Sequence, residues 1–489
     1  MKSKILLFIG LAIAFGSCKT SKKTVAKESE NQTVEILAVN DIHANIDNFP
    51  RFGFMVDSLR AIYPDLLLFS AGDNQTGNPA NDQYSPKGLP MIELMNALKF
   101  DVTAVGNHEF DAGQKGFAFL TEQSHFPYLC ANVSNYEASG IKIKPYHIIS
   151  MDNGVKLAIF SLLSINSGGI PDSHPMHLEG LQFQRPENIC PDYYDLAKKN
   201  NCDALILLSH VGFEGDVKLA EQAPQGSIDL IIGGHTHTTV KDEKYINNIL
   251  ITQSGSKLRY ISLIKLTIKD KQVIGRSMEL LPINKKGNER ADIRSMVDKY
   301  NDNPSLNVTV AVAEDDFSSP DKVGYLMVDA LRSKTNADIA LINPGGIRIG
   351  YLDKGNVTVM DVYKMDPFGN EITLFNLTGE ELKSLHISAF KSDVKSPMCP
   401  SGIQSVYTLN PDGSIKEIEF FTESGEPLDM NKTYLVAMNS YMSAAYRFDH
   451  KDPGKSLFRT TAESMIEYLK ELRTIPSYRN EQRTKVIKE

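Results

Sequence analysis

The sequence predicts an α/β fold in two domains, and three observations predict it. From residue 34 to about residue 283, short apolar runs alternate with stretches of helical spacing such as "PMIELMNALK", the pattern of buried strands layered with amphipathic helices. The runs themselves, "VEILAVND", "DLLLFSAGD", "DVTAVGNHE", "VKLAIFSLLS", "ALILLSHVG", "DLIIGGHTH" and "NILITQSGS", mostly end in glycine or polar residues. In α/β folds ligands bind beyond those carboxyl ends. Finally, a chain of 489 residues, 42% hydrophobic and 23% charged, is longer than one core usually organises.

Taken in order, the chain begins with "MKSKILLFIGLAIAFGSC". Two lysines, an apolar run from Ile5 to Phe15 and small residues make residues 1–17 an export signal, too short to span a bilayer comfortably. Cys18 after Gly16-Ser17 resembles the bacterial lipoprotein signal, in which that cysteine carries the lipid. An ordinary cleaved signal or an uncleaved anchor is the alternative. Residues 18–33 are polar and free of aromatic residues, as a flexible tether is. The expected location is therefore lipid-anchored, on the periplasmic side of a membrane or at the cell surface. A net charge of -8 argues against a nucleic-acid partner. Cys130, Cys190, Cys202 and Cys399 are expected as free thiols. Cys190 and Cys202 flank a predicted helix, whose rise would separate them by roughly 15 Å, beyond disulfide reach.

Residues 34–285 form the first predicted domain. "NKKGNERADIRSMVDKYNDNP" then breaks the alternation, and Ile293, Met296, Val297 and Tyr300 make one apolar stripe, so 286–304 read as a connecting helix. The second domain, 305–489, opens with the strand "NVTVAVAE", a helix over "DKVGYLMVDALRSK" and the strand "ADIALIN". It closes with a helix begun by the capping box Thr460-x-x-Glu463.

The polar residues at the strand ends carry the chemistry. In order they are Asp41-x-His43, Gly72-Asp73, Gly106-Asn107-His108-Glu109, His210 and Gly234-His235-x-His237. Polar groups crowded at a buried strand end need partners: metal ions, a substrate phosphate, or one another. Oxygen and imidazole donors without thiolates suit divalent Zn, Mn, Fe or Co. The set is large enough for two ions about 3.5–4 Å apart, with one carboxylate shared. Any single motif could be a plain turn; five in this order at strand ends point to a dinuclear metal site.

Together these motifs resemble the calcineurin-like metallophosphoesterases. "GNHEFD" joined to the later "NPGGIR" and "PFGN" is similar to the 5'-nucleotidase family. The resemblance implies a four-layer α-β-β-α metallophosphoesterase domain followed by a smaller α/β substrate-binding domain. It implies that Asp41, His43, Asp73 and His237 hold one metal, and that Asp73, Asn107, His210 and His235 hold the other. His108, oriented by Asp111, would face the phosphate, while a water acidified by the metals attacks phosphorus in line; Glu109 is expected to be structural. In the second domain, Asn343 and Arg348 resemble substrate-binding positions, and Phe368 offers a stacking face for a base. Where family members carry a glycine-rich stretch with an aromatic and an acidic residue, this chain has "NSYMSAAYRFDH". That stretch offers Tyr446 or Phe448 for the second stack and Asp449 for the ribose. Lys322 is the available cation near the start of this domain, where family members tend to carry an additional arginine.

The function so implied is hydrolysis of nucleoside 5'-monophosphates to nucleoside and phosphate. Within the same class lie 2',3'-cyclic nucleotide phosphodiesterase, 3'-nucleotidase and nucleotide-sugar pyrophosphatase activities. From a different class comes an inactive nucleotide-binding lipoprotein, which need not retain a complete ligand set or the His108–Asp111 pair.

Overall fold

Alternate side chains of the strand Gln32–Val39 go to different cores. Val34, Ile36 and Ala38 face a second sheet, while Leu37 and Val39 face the helices Phe49–Ile62 and Leu89–Leu98. The strand Ala204–His210 mirrors it: Ile206 and Leu208 point inward, and Leu205 and Leu207 pack under the helix Phe213–Gln222. A pleat has period two, so each strand supplies two faces, and the result is four layers, α-β-β-α. This structure is a computed structural model that describes residues 31–488, apart from 167, 285 and 393–395. The export signal and Cys18 lie outside the described residues. Residues 32 and 33, read above as tether, are the first two of the first strand.

The first sheet runs Gln272–Pro282, Tyr260–Lys269, Gln32–Val39, Leu67–Ser70, Val102–Ala104, Tyr128–Leu129, Ile143–Lys144. The second runs Lys244–Ile246, Ile249–Thr252, Leu230–Ile232, Ala204–His210, Lys156–Leu163, Tyr146–Ser150. Gln32–Val39, Leu67–Ser70 and Val102–Ala104 are mutually parallel, as are Lys156–Leu163, Ala204–His210 and Leu230–Ile232. Within each set the carboxyl ends therefore fall on one edge, which gathers residues far apart in sequence. The helix expected between Cys190 and Cys202 is instead a 3-10 turn, Cys190–Tyr193, and a short helix, Leu196–Lys199. Tyr193 lies flat on Phe160, 5.0 Å between ring centres, a tertiary contact that overrides helical propensity. Cys130, Cys190, Cys202 and Cys399 are all free.

The helix Ala291–Asn301 buries Ile293, Val297 and Tyr300 in the first domain's helical layer. Beyond it, a five-stranded sheet runs Cys399–Ser401, Ile339–Ile342, Thr433–Asn439, Glu371–Thr378, Lys455–Thr460. One face packs on the helices Pro320–Thr335 and Thr461–Leu472, and the other on the helix Gly379–Ser392 and a hairpin. The predicted capping box is formed: Thr460 Oγ1 accepts from Glu463 N–H, and Glu463 accepts from Thr460 N–H.

Candidate active site

The strand Gln32–Val39 leads into Asp41 and His43, Leu67–Ser70 into Asp73, and Val102–Ala104 into Asn107 and His108. Ala204–His210 ends on His210, and Leu230–Ile232 leads into His235 and His237. These residues gather in two groups: Asp41, His43 and His237, and Asp73, His210 and His235, each within 4.8 Å by potential ligand atoms. Asp73 also groups with His43 and His108, so its carboxylate lies between the two sets.

The hydrogen bonds decide which atoms face inward. His210 Nδ1–H donates to Ala71 O at 2.7 Å, leaving the Nε2 lone pair toward Asp73 Oδ2, 3.2 Å away. Nε2 is buried and has no aligned hydrogen-bond partner. Two electron-rich atoms this close need a positive charge between them. Burial lowers the His210 pKa, but the Asp73 charge outweighs it and raises it to about 10. In the other set, His43 Nδ1–H donates to Thr76 O at 3.1 Å, which turns its Nε2 toward His237 Nε2 at 2.9 Å. Asp41 Oδ1 is 3.5 Å from that His237 atom, and His235 Nδ1 is 3.1 Å from Asn107 Oδ1. Ligand atoms about 2.1 Å from a common ion are about 3.0–3.4 Å apart, so these contacts have the spacing of coordination-polyhedron edges. Burial also holds His235 down to about 4 and His237 down to about 3, as imidazoles that must offer a lone pair require. The donor set fits divalent cations.

The backbone is adapted to the same end. Asp41, His43, Asp73, His235 and His237 all have left-handed φ, between 48° and 79°, a region that non-glycine residues occupy at a cost. A Cβ on Gly106 would meet Asp73 Oδ1 at 2.2 Å, so the glycine is what lets the two turns approach. Glu109, expected to be structural, is fully buried and staples them: its carboxylate accepts from Gly106 N–H (2.7 Å), Asp73 N–H (3.0 Å) and Asn74 N–H (2.8 Å). The Asn107 amide is held by Asp172 O at 3.0 Å, on a loop that sequence reasoning did not single out.

His108 Nδ1 is 2.7 Å from Asp111 Oδ2. Burial would depress the His108 pKa, but the charges of Asp73 and Asp111 raise it above the usual imidazole value. From the second domain, Arg348 Nη2 comes within 3.2 Å of His43 Nδ1. Phe368 stacks beside His108 at 5.8 Å, with the Arg348 guanidinium 5.5 Å from its ring centre. The two domains thus enclose a cleft of about 920 Å³ lined by Asp73, His108, Asn343, Arg348 and Phe368 among others.

Tyr446, Phe448 and Asp449 do not line that cleft. Tyr446 is 4% exposed in the core beneath the sheet, and Phe448 packs against the same core. The expectation that either forms the second stack is corrected by helix geometry. The helix Ser440–Ala445 presents Tyr441 to the cleft, and the chain turns inward at Tyr446. Lys322 is likewise elsewhere, bonded to Glu481 O. Phe458, 87% exposed at the cleft, was also missed.

The chain is similar to known phosphoesterases and 5'-nucleotidases. The calcineurin-like phosphoesterase family profile matches residues 34–239, and that of the 5'-nucleotidase C-terminal domain matches residues 304–448. A trifunctional nucleotide phosphoesterase, YfkN of Bacillus subtilis, is 27% identical over 92% of this chain, which spans only 35% of that protein. A 5'-nucleotidase of Vibrio cholerae is 23% identical, with 90% of each chain covered. In fold, the 5'-nucleotidase precursor of Thermus thermophilus superposes with a TM-score of 0.82 at 24% identity, over 94% of this chain and 100% of that one.

Proposed function

From the premise that the chain belongs to the calcineurin-like phosphoesterases with a 5'-nucleotidase C-terminal domain, and is a metal-dependent phosphoester hydrolase, we propose that it cleaves nucleoside 5'-monophosphates with two divalent cations. The observation that carries this reading is the shared position of Asp73 between two ligand sets, opening on a cleft whose far wall is Arg348 and Phe368. Asp41, His43, Asp73 and His237 would hold one cation, and Asp73, Asn107, His210 and His235 the other. Zn, Mn, Co and Fe all suit this donor set. When bound, the cations supply positive charge against the phosphoryl oxygens and acidify a water.

The chain's own residues do the rest. Arg348 offers a planar fork to the phosphate. His108, held at Nδ1 by Asp111 and favoured in its charged form, donates from its other nitrogen to the phosphoryl group or the leaving oxygen. Phe368 covers the base, Tyr441 faces the same cleft, and Asn343 lines the approach. Residues 1–18 carry an export and lipidation pattern, so the enzyme is proposed to act anchored outside the cytoplasmic membrane. No helix among the described residues is long and apolar enough to cross a membrane.

The test is a substrate panel of AMP, UMP, 2',3'-cyclic AMP and UDP-glucose with elemental analysis of the purified chain. Phosphate release from AMP and UMP, abolished by chelator and restored by Mn or Co, with two metals per chain, is the expected result. Preference for the cyclic nucleotide or the pyrophosphate would move the assignment to those activities. Binding of AMP without turnover would leave only a nucleotide-binding lipoprotein.

A further inference from the structure

The strand Lys455–Thr460 is not regular. Glu371 pairs with Thr460 and Thr373 with Ser456, so a two-residue step on one strand faces a four-residue step on the other. The surplus bows out as a bulge, and bulges beside active sites re-aim side chains. At its tip Phe458 has φ +52° and is 87% exposed. A strained backbone under an unburied aromatic ring is doubly unfavourable, and the ring contributes no core contact that would offset it. What the conformation achieves is to set the ring on the cleft wall.

The bulge is held open by a short hydrogen-bond chain. Phe458 N–H donates to Ser456 Oγ at 3.0 Å, and Ser456 Oγ–H donates to Glu371 Oε2. Glu371 N–H is tied in turn to Ser440 Oγ at 3.1 Å. Glu371, Ser456 and Phe458 all line the cleft. His174, from the first domain, lines the same cleft. Glu371 Oε2 is engaged by Ser456, and no described residue donates to Oε1.

A carboxylate only accepts hydrogen bonds. Adenine and cytosine each set one amino donor beside an unprotonated ring nitrogen, and uracil sets one N–H between two carbonyls. Guanine alone offers two adjacent donors, N1–H and the N2 amino group. We propose that Glu371 and Phe458 form a base-reading subsite for guanine, the ring covering one face and the carboxylate accepting from the N1–H and N2–H edge. This rests on the nucleotide reading above and names the base that reading leaves open.

The test is kcat/KM of the metal-loaded full chain for GMP, IMP, AMP, UMP and p-nitrophenyl phosphate. GMP is expected to lead, IMP to fall between because it lacks the N2 amino group, and AMP and UMP to trail. In Glu371→Gln the GMP-to-AMP ratio should fall roughly 5- to 150-fold, the usual worth of a two-point base contact. Phe458→Ala should lower every nucleotide relative to p-nitrophenyl phosphate while leaving the GMP-to-AMP ratio in place. Ser456→Ala, which frees both partners without removing either, should lower the ratio as well. Melting temperatures check that each variant is folded; the wild-type ranking decides the matter even if one is not. AMP turned over as well as GMP, or a ratio unmoved in folded Glu371→Gln, overturns the subsite and spares the nucleotide assignment. Hydrolysis of p-nitrophenyl phosphate with no nucleotide turned over removes both.

Discussion

The two walls of the cleft are built to different tolerances. On the first-domain wall nearly every polar atom near the candidate metal site is fixed by a second contact: His210 by Ala71 O, His43 by Thr76 O, the Asn107 amide by Asp172 O, the Asp73 backbone by Glu109. On the second-domain wall, beside the polar Arg348 and Glu371, stand ring faces, Phe368, Tyr441 and Phe458, carried on a loop, a helix and a bulge. Coordination chemistry demands a particular atom at a particular place, whereas stacking demands only a flat apolar surface within reach. A rigid wall and a permissive wall follow from what each must hold.

Substitutions can sharpen or break that contrast. The largest effect belongs to Asp73→Ala. With the shared carboxylate gone, elemental analysis should find neither cation retained at full occupancy and turnover should vanish; two metals per chain would refute the ligand assignment. His108→Ala comes next, keeping its metals but losing about 10²–10⁴ in kcat, the typical worth of a positioned acid or base. A mutant of wild-type rate would remove His108 from the chemistry. In the core behind the permissive wall, Tyr446→Ala should cost about 3–5 kcal/mol of stability in denaturant unfolding, as other large core truncations do. It should do so without altering the preference for AMP over p-nitrophenyl phosphate; a selective loss on AMP would return Tyr446 to the cleft. Smallest is Phe368→Ala, expected to weaken AMP hydrolysis by about 1–3 kcal/mol, one base stack, and p-nitrophenyl phosphate hydrolysis by less. Equal losses on both would make Phe368 a support for His108 rather than a base platform.

The same contrast explains what could be read from residues alone. Asp41, His43, Asp73, Asn107, His210, His235 and His237 stand out as polar residues at the ends of apolar runs, and the structure brings six of them, all but Asn107, into groups that could hold a metal ion. The alternating runs announced the strands, although which run joins which sheet depends on pairing that no single segment encodes. Glu109 was legible only as a structural residue; its three backbone partners come from turns more than thirty residues apart as well as its own. The aromatic wall was hardest. Tyr441 and Tyr446 lie five residues apart in one polar-aromatic stretch, and only the start of a short helix decides which faces the cleft. For Phe458 the deciding event is a register shift between two strands, invisible in either one.

The left-handed turns at Asp41, His43, Asp73, His235 and His237 have a thermodynamic corollary. Each such residue costs of order 1 kcal/mol or more, several kcal/mol together, against a typical net domain stability of about 5–15 kcal/mol. Cations that bind only the folded arrangement offset that cost by mass action, about 2.7 kcal/mol for each ion present at a hundred times its dissociation constant. The melting temperature should then slide with free cation activity, falling in chelator and climbing with the logarithm of added Mn or Co. Calorimetry could read occupancy of the site in the absence of any substrate.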